Sequence, residues 1–153
     1  MGAANIGRAA IAALLAAGAM LTGCGTLHEG IHSMHREAPA KSRVVIQVSD
    51  ADPAKWNLAL NNAKNVQADL GAANVEIEIV AYGPGIGMIK AGSPVSMRID
   101  EATMTGVKVV ACENTMTNMK LTRGDMLKGL DYVSAGVVEI MQRQQQGWAY
   151  VRP

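Results

Sequence analysis

Phenylalanine is absent from these 153 residues, aromatic side chains make up 3% of them, and the only three histidines all fall before residue 36. A core without Phe has to be filled by aliphatic side chains and by methionine, of which there are ten, a flexible side chain that fills irregular gaps. The lack of histidine beyond His35 removes the usual partner of a catalytic Ser or Cys from most of the chain, so a conventional hydrolase is not expected. Cysteine is scarce as well: Cys24 and Cys112 are the only two, too few for a disulfide framework. Charge is balanced, with 14 Lys and Arg against 13 Asp and Glu. Without a basic stripe or interleaved aromatics, nucleic acid is not an expected partner.

The amino-terminal stretch has its own composition. Residues 1 to 24 carry a single charge, Arg8, then the apolar run from Ala9 to Ala17, and end in Leu21-Thr22-Gly23-Cys24. A positive start, a short apolar run and a small-residue end make a secretory signal, too short for a comfortable transmembrane helix. Its last four residues resemble a bacterial lipobox. The expectation is an exported chain, membrane-anchored through lipidated Cys24 on the periplasmic side of the envelope. Without Arg8 the mature chain has thirteen cations against thirteen carboxylates and is neutral.

Residues 25 to 43 are polar, small and proline-containing, as suits a tether. They hold His28, His32 and His35, which a helix would bring to one face within reach of one metal ion. Gly30 weakens such a helix, and no fourth ligand is evident, so a solvated tether is the simpler reading.

From Val44 to Pro153 the pattern is that of one α/β domain. Val44 to Ser49 reads as a central parallel strand, apolar on both faces. Asp52-Pro53 supplies an N-cap and a first helical residue, Trp56, Leu60, Ala63, Val66 and Leu70 recur at helical spacing, and Gly71 stops the helix. Val75 to Tyr82, alternating early and continuous late, is a second strand leading into Gly83-Pro84-Gly85-Ile86-Gly87. That turn lets backbone approach a ligand, but it matches neither a phosphate loop nor GxGxxG, and no cofactor is expected. Two helical pieces, 86 to 91 and 95 to 104, precede the strand Val107 to Cys112. A short helix to Met119, a small strand at 130 to 133, a helix from Gly136 to Gln146 and a strand at 148 to 152 complete a three-layer α/β/α sandwich on a mostly parallel five-stranded sheet.

Cys112 is the candidate catalytic residue. It ends a buried strand where Glu113-Asn114-Thr115 opens a helix, and in open α/β sheets that edge holds the chemistry. The helix's oriented N–H groups favour a thiolate. Gly83, Pro84, Gly85, Glu113, Asn114 and Thr115 are the residues expected to line the crevice. The carboxylates of Asp50, Asp52 and Glu113 fit solvated or capping roles.

These segments resemble the DsrE/DsrF-like sulfur-relay family. The resemblance rests on Tyr82-Gly83-Pro84-Gly85, the Val109 to Met116 segment, Ala135 to Glu139 and Gln145 to Pro153, in order over about Val44 to Pro153, and is closest to the exported single-domain branch. It implies an α/β/α domain, a homo-oligomer (trimer or hexamer), a sulfur donor or acceptor protein as partner, and a persulfide-carrying cysteine at the position of Cys112. Two functional classes follow: sulfur handling through Cys112, or a non-enzymatic protein binding a small ligand or a soft metal in the same crevice. One thiolate with the thioethers of Met116 and Met119 would suit Cu(I). The plain alternative makes both methionines core filler and Cys112 an inert buried thiol. Helix faces carrying Met97, Ile99, Met104, Val137 and Met141 hold more apolar surface than one sheet can cover, in keeping with an oligomer.

Overall fold

The computed structural model describes residues 41 to 153; the signal segment, Cys24, nearly all of the tether and its three histidines lie outside the described residues. Five strands, β1 (Ser42–Val48), β2 (Val75–Ala81), β3 (Lys108–Cys112), β4 (Asp131–Val133) and β5 (Ala149–Val151), form one sheet in the order β4-β3-β2-β1-β5. The sequence called for a mostly parallel sheet; all four pairings are parallel.

Helix α1 (Pro53–Leu70) starts and stops where its capping residues dictate. The Asp52 carboxylate accepts a hydrogen bond from the Ala54 N–H at 2.8 Å, Pro53 occupies the first turn, and Gly71 ends the helix at φ +84°. With α2 (Ser96–Met104) and α3 (Glu113–Asn118) it covers one face of the sheet. The main core lies there: Ile46, Ile79, Val109 and Ala111 from the strands meet Trp56, Leu60, Ile99 and Met116 from the helices. Methionine fills this core in place of aromatics, with Met88 and Met126 also buried.

Among the described residues only α4 (Gly136–Gln145) packs on the other face. The chain leaves β4 at one edge and must reach β5 at the other, so α4 crosses the whole sheet. Its apolar seat is small, with Ile140 against Val45, Val80 and Val110, and Trp148 beside them. Beneath it sits an ion cluster built round one buried carboxylate. Glu78 has no exposed surface and lies 2.7 Å from Arg143 Nη2, whose Nε is 2.8 Å from Glu139 Oε1. The early alternation of β2 suggested an emerging strand end, and Glu76 is indeed exposed, whereas Glu78 is wholly covered by α4. Burial raises the Glu78 carboxyl above its ordinary pKa, opposed by Arg143.

Of the five side chains expected on uncovered helix faces, Met97 (78% exposed), Met104 (87%), Val137 and Met141 are exposed. Ile99 is not: it is part of the main core. Among the described residues no helix is long and apolar enough to cross a membrane.

The glycine loop after β2 forms a 3-10 helix, Gly83–Ile89, pressed onto the end of β1. A Cβ on Gly85 would stand 2.2 Å from the Val48 carbonyl oxygen. The missing side chain therefore serves packing against backbone, not the approach of a ligand. Gly85→Ala is expected to destabilise the domain by about 3 kcal/mol, the upper end of overpacking costs, because backbone rather than a flexible side chain has to yield. Denaturant unfolding checks this; a variant within experimental error of the wild type would contradict the close approach.

Candidate functional site

β3 delivers Cys112 to the carboxyl edge of the sheet, with its side chain on the α4 face, since Val109 and Ala111 belong to the opposite core and Val110 to the α4 side. After β3 the chain turns towards the face of α1 to α3; after the neighbouring β4 it turns towards α4. Adjacent strands whose continuations diverge to opposite faces open a crevice at their carboxyl ends. Cys112 stands at that point.

Two helix amino ends converge on its sulfur. The first turn of α3, with the N–H groups of Asn114 and Thr115, and Gly136, the first residue of α4, lie beside it and favour its thiolate, although the Asn114 N–H is itself bonded to the Ser134 carbonyl. The approach of α4 is close: a Cβ on Gly136 would lie 3.0 Å from Tyr82 Cβ and 3.2 Å from Cys112 Cβ. Thr115 adds a directed hydroxyl. Its Oγ1 accepts from the Gly83 N–H at 2.9 Å, which leaves the hydroxyl proton for Cys112. The thiol itself lies 3.9 Å from the Ser134 carbonyl, which also accepts from the Asn114 N–H at 3.0 Å and ties β4 to α3.

These contacts compete with burial. Cys112 is 5% exposed, and desolvation, the largest single influence, pushes its pKa up; the Thr115 hydroxyl and the N–H groups of Gly136, Thr115 and Asn114 together outweigh it, so the thiol titrates below its ordinary value. Glu113 is turned away from the sulfur into an ion pair with Arg123 at 2.6 Å, and that guanidinium sits 4.1 Å from the centre of the Tyr132 ring. A cleft of about 490 Å³ bounded by Glu113, Tyr132, Ser134, Ala135, Val138 and Glu139 lies beside the site, with Cys112 behind its wall rather than in its lining.

The expected crevice residues divide. Glu113, Asn114 and Thr115 flank the thiol, Gly83 reaches it through Thr115, Pro84 is exposed, and Gly85 is buried against β1. Asp52 is the α1 cap, and Asp50 pairs with Lys55 at 3.3 Å. Met116 is in the core on the far face of the sheet and Met119 is 46% exposed, so the thioethers are not gathered round the thiol. Among the described residues no cluster of three His, Cys, Asp or Glu side chains is placed to hold a metal. Ser134 had no visible role in the sequence, and Gly136 entered only within the Ala135 to Glu139 segment of the family resemblance. The only local signal was a small-residue turn, Ser134-Ala135-Gly136, leading into a helix, and its meeting with Cys112 depends on strand order.

Residues 42–153, the whole sheet and all four helices, match the DsrE/DsrF-like family. The chain belongs to that family. This DsrE/DsrF-like domain is 39% identical to a protein of unknown function from Methanobacterium thermoautotrophicum, with a TM-score of 0.70 over 74% of this chain and 100% of that one. It shares its fold with a conserved protein of unknown function from Bacteroides thetaiotaomicron (13% identity, TM-score 0.57, 73% of this chain and 95% of that one). The ychN protein of E. coli is similar in the same sense (12% identity, TM-score 0.59, 74% and 99% of the two chains). No curated protein matches the chain.

Thr115→Val keeps the shape of the side chain and removes the hydroxyl that links Gly83 to the thiol. Losing a donor to the thiolate moves the Cys112 pKa upward, so alkylation at neutral pH slows several-fold, and the unpaired Gly83 N–H costs about 1 kcal/mol of stability. Iodoacetamide kinetics across pH read the first effect and thermal melting the second; an unchanged pH profile would remove Thr115 from the site.

Proposed function

We propose that this protein handles sulfur by carrying sulfane sulfur as a persulfide on Cys112, as part of an envelope-anchored homo-oligomer. Membership of the DsrE/DsrF-like family points to a sulfur-relay-related role. The observation that carries the finer reading is the convergence of two helix amino ends and the Thr115 hydroxyl on one thiol. Such a site favours a thiolate, and it equally favours the terminal anion of a persulfide, whose charge needs the same donors.

The step balances without a cofactor. The Cys112 thiolate attacks the outer sulfur of a donor persulfide; the new S–S bond forms as the donor's own S–S bond breaks, and the electron pair leaves on the donor thiolate. The sulfane sulfur keeps its proton, which it can shed to the solvent. Transfer onward is the same exchange with an acceptor thiolate attacking the outer sulfur, returning Cys112 to its thiolate. The cleft beside Ser134 and Val138 is where a donor or acceptor protein would dock, and the buried Cys112 behind it has to become exposed for the exchange.

Location and assembly rest on other features. The run from Ala9 to Ala17 and the ending Leu21-Thr22-Gly23-Cys24 support export and lipidation at Cys24, on the periplasmic side of the envelope, with residues 25 to 43 as the tether. The exposed Val137, Val138 and Met141 of α4 support a trimer or hexamer.

A single preparation tests this reading. The protein should fractionate with the membrane unless Cys24 is replaced and, once extracted in detergent from its own envelope without reductant, show a trimeric or hexameric mass by light scattering and carry the mass of added sulfur on Cys112. Cys112→Ser should keep the same assembly and melting temperature and lose all sulfur loading. Bound copper without added sulfur would replace this reading by a soft-metal one, and a Cys112 that alkylates only after denaturation would leave a packed core residue.

A further inference from the structure

The Glu78, Arg143 and Glu139 cluster lies away from the thiol and takes no part in the transfer just described. Glu78 pairs in register with Lys108, four residues before Cys112 along β3, which sets it about 13 Å from the thiol at strand rise. Arg143 is seven residues beyond Gly136, about 10 Å along α4. The helix therefore meets the sheet at two separated points, Gly136 over Cys112 and Arg143 over Glu78, with Ile140 between them.

Apolar packing alone fixes α4 poorly. Gly136 and Ile140 are its only buried residues, while Val137, Val138 and Met141 face outward. The second attachment is ionic instead. Arg143 Nη2 lies 2.7 Å from Glu78 Oε2, its Nε 2.8 Å from Glu139 Oε1, and its guanidinium 4.8 Å from the centre of the Trp148 ring. A guanidinium drawn to two carboxylates and set against an indole keeps this turn of α4 over Glu78, where a single isoleucine would allow the helix to slide or roll. Burying a carboxylate is costly, and among the described residues both Glu78 oxygens, Arg143 Nε and Trp148 Nε1 lack a hydrogen bond of good geometry, so the attachment is one of charges at close range.

We propose that Glu78 and Arg143 are positioning residues for Cys112, fixing α4 so that the Gly136 N–H is aimed at the sulfur. This deepens the sulfur-carrier reading and rests on it for its functional meaning. The pair acts through the helix: across that distance the direct charge effect of Glu78 on the thiol is weak and opposite in sign, since removing a negative charge would favour the thiolate. The other groups facing the sulfur, Thr115, Asn114 and Ser134, belong to α3 and to the β4 loop, and Glu113 is held by Arg123, so all of these stay in place when α4 shifts.

The test measures the pH profile of Cys112 alkylation in the full-length protein and its variants, with the Gly136 amide resonance as an independent reading of where α4 stands. Glu78→Gln and Arg143→Lys should move the profile to higher pH, slow alkylation at neutral pH by about fivefold, the scale of a lost helix amino-terminal contribution, and displace the Gly136 resonance. Glu139→Gln, which leaves Glu78 and Arg143 paired, should keep the wild-type profile. A profile that stays in place or moves to lower pH in whichever of the first two variants folds would overturn the proposal. So would failure of both to fold, because the pair would then serve the fold as a whole. A wild-type Cys112 that titrates as an ordinary free thiol would instead remove the sulfur-carrier reading, while the Gly136 resonance would still report on the positioning.

Discussion

The contact on which the site depends is the approach of Gly136 to the sheet. β4 and β5 lie at opposite edges, so the chain between them must cross the sheet, and it does so as α4 on a face no other described helix covers. The crossing begins hard against Val80, Tyr82 and Cys112, within distances at which a side chain on the first helical residue would force its neighbours to shift. A helix that starts there aims its free N–H groups at the end of β3, and a helix that follows β3 directly aims its own at the same atom. The fold thus supplies two positive ends to one sulfur as a by-product of its strand order.

That supply decides a contest between burial and hydrogen bonding. A thiol as covered as Cys112 would ordinarily stay protonated and inert, since burial disfavours the thiolate. Here several modest donors, none of which matches the desolvation by itself, sum to reverse it. The site is sensitive to geometry for that reason: each donor must stay aimed, and two of the supports, Thr115 through Gly83 and Gly136 through α4, come from segments far apart in the chain.

What could be read from the sequence was whatever local chemistry fixes. Asp52-Pro53 and Gly71 bound α1 because capping involves only neighbouring residues, and the apolar strand ending in Cys112 is recognisable because both its faces are covered. Glu78 escaped that reading. Its alternation with Val75, Ile77 and Ile79 is what a half-exposed strand shows, and only the passage of α4 with Arg143 at the right turn buries it. Gly85 was recognised as a place of close approach, but the approaching group is the backbone of Val48. Ile99 and Met97 share a short helix and differ in fate because only one of them faces the α1 side. In each case the deciding partner is distant in sequence.

Glu113 shows how the same site tolerates a residue of the wrong sign. A carboxylate next to the thiol in the chain would raise its pKa if the two side chains met, since like charges disfavour a second ionisation. Arg123, carried on the loop between α3 and β4, draws the carboxylate to 2.6 Å and is itself seated on the Tyr132 ring. Glu113 is thereby paired and directed outward while its backbone still opens α3. The pair is exposed and contributes little to stability. Its consequence is local: the acidic residue borders the cleft and meets an approaching partner, while the thiol behind it faces only neutral donors.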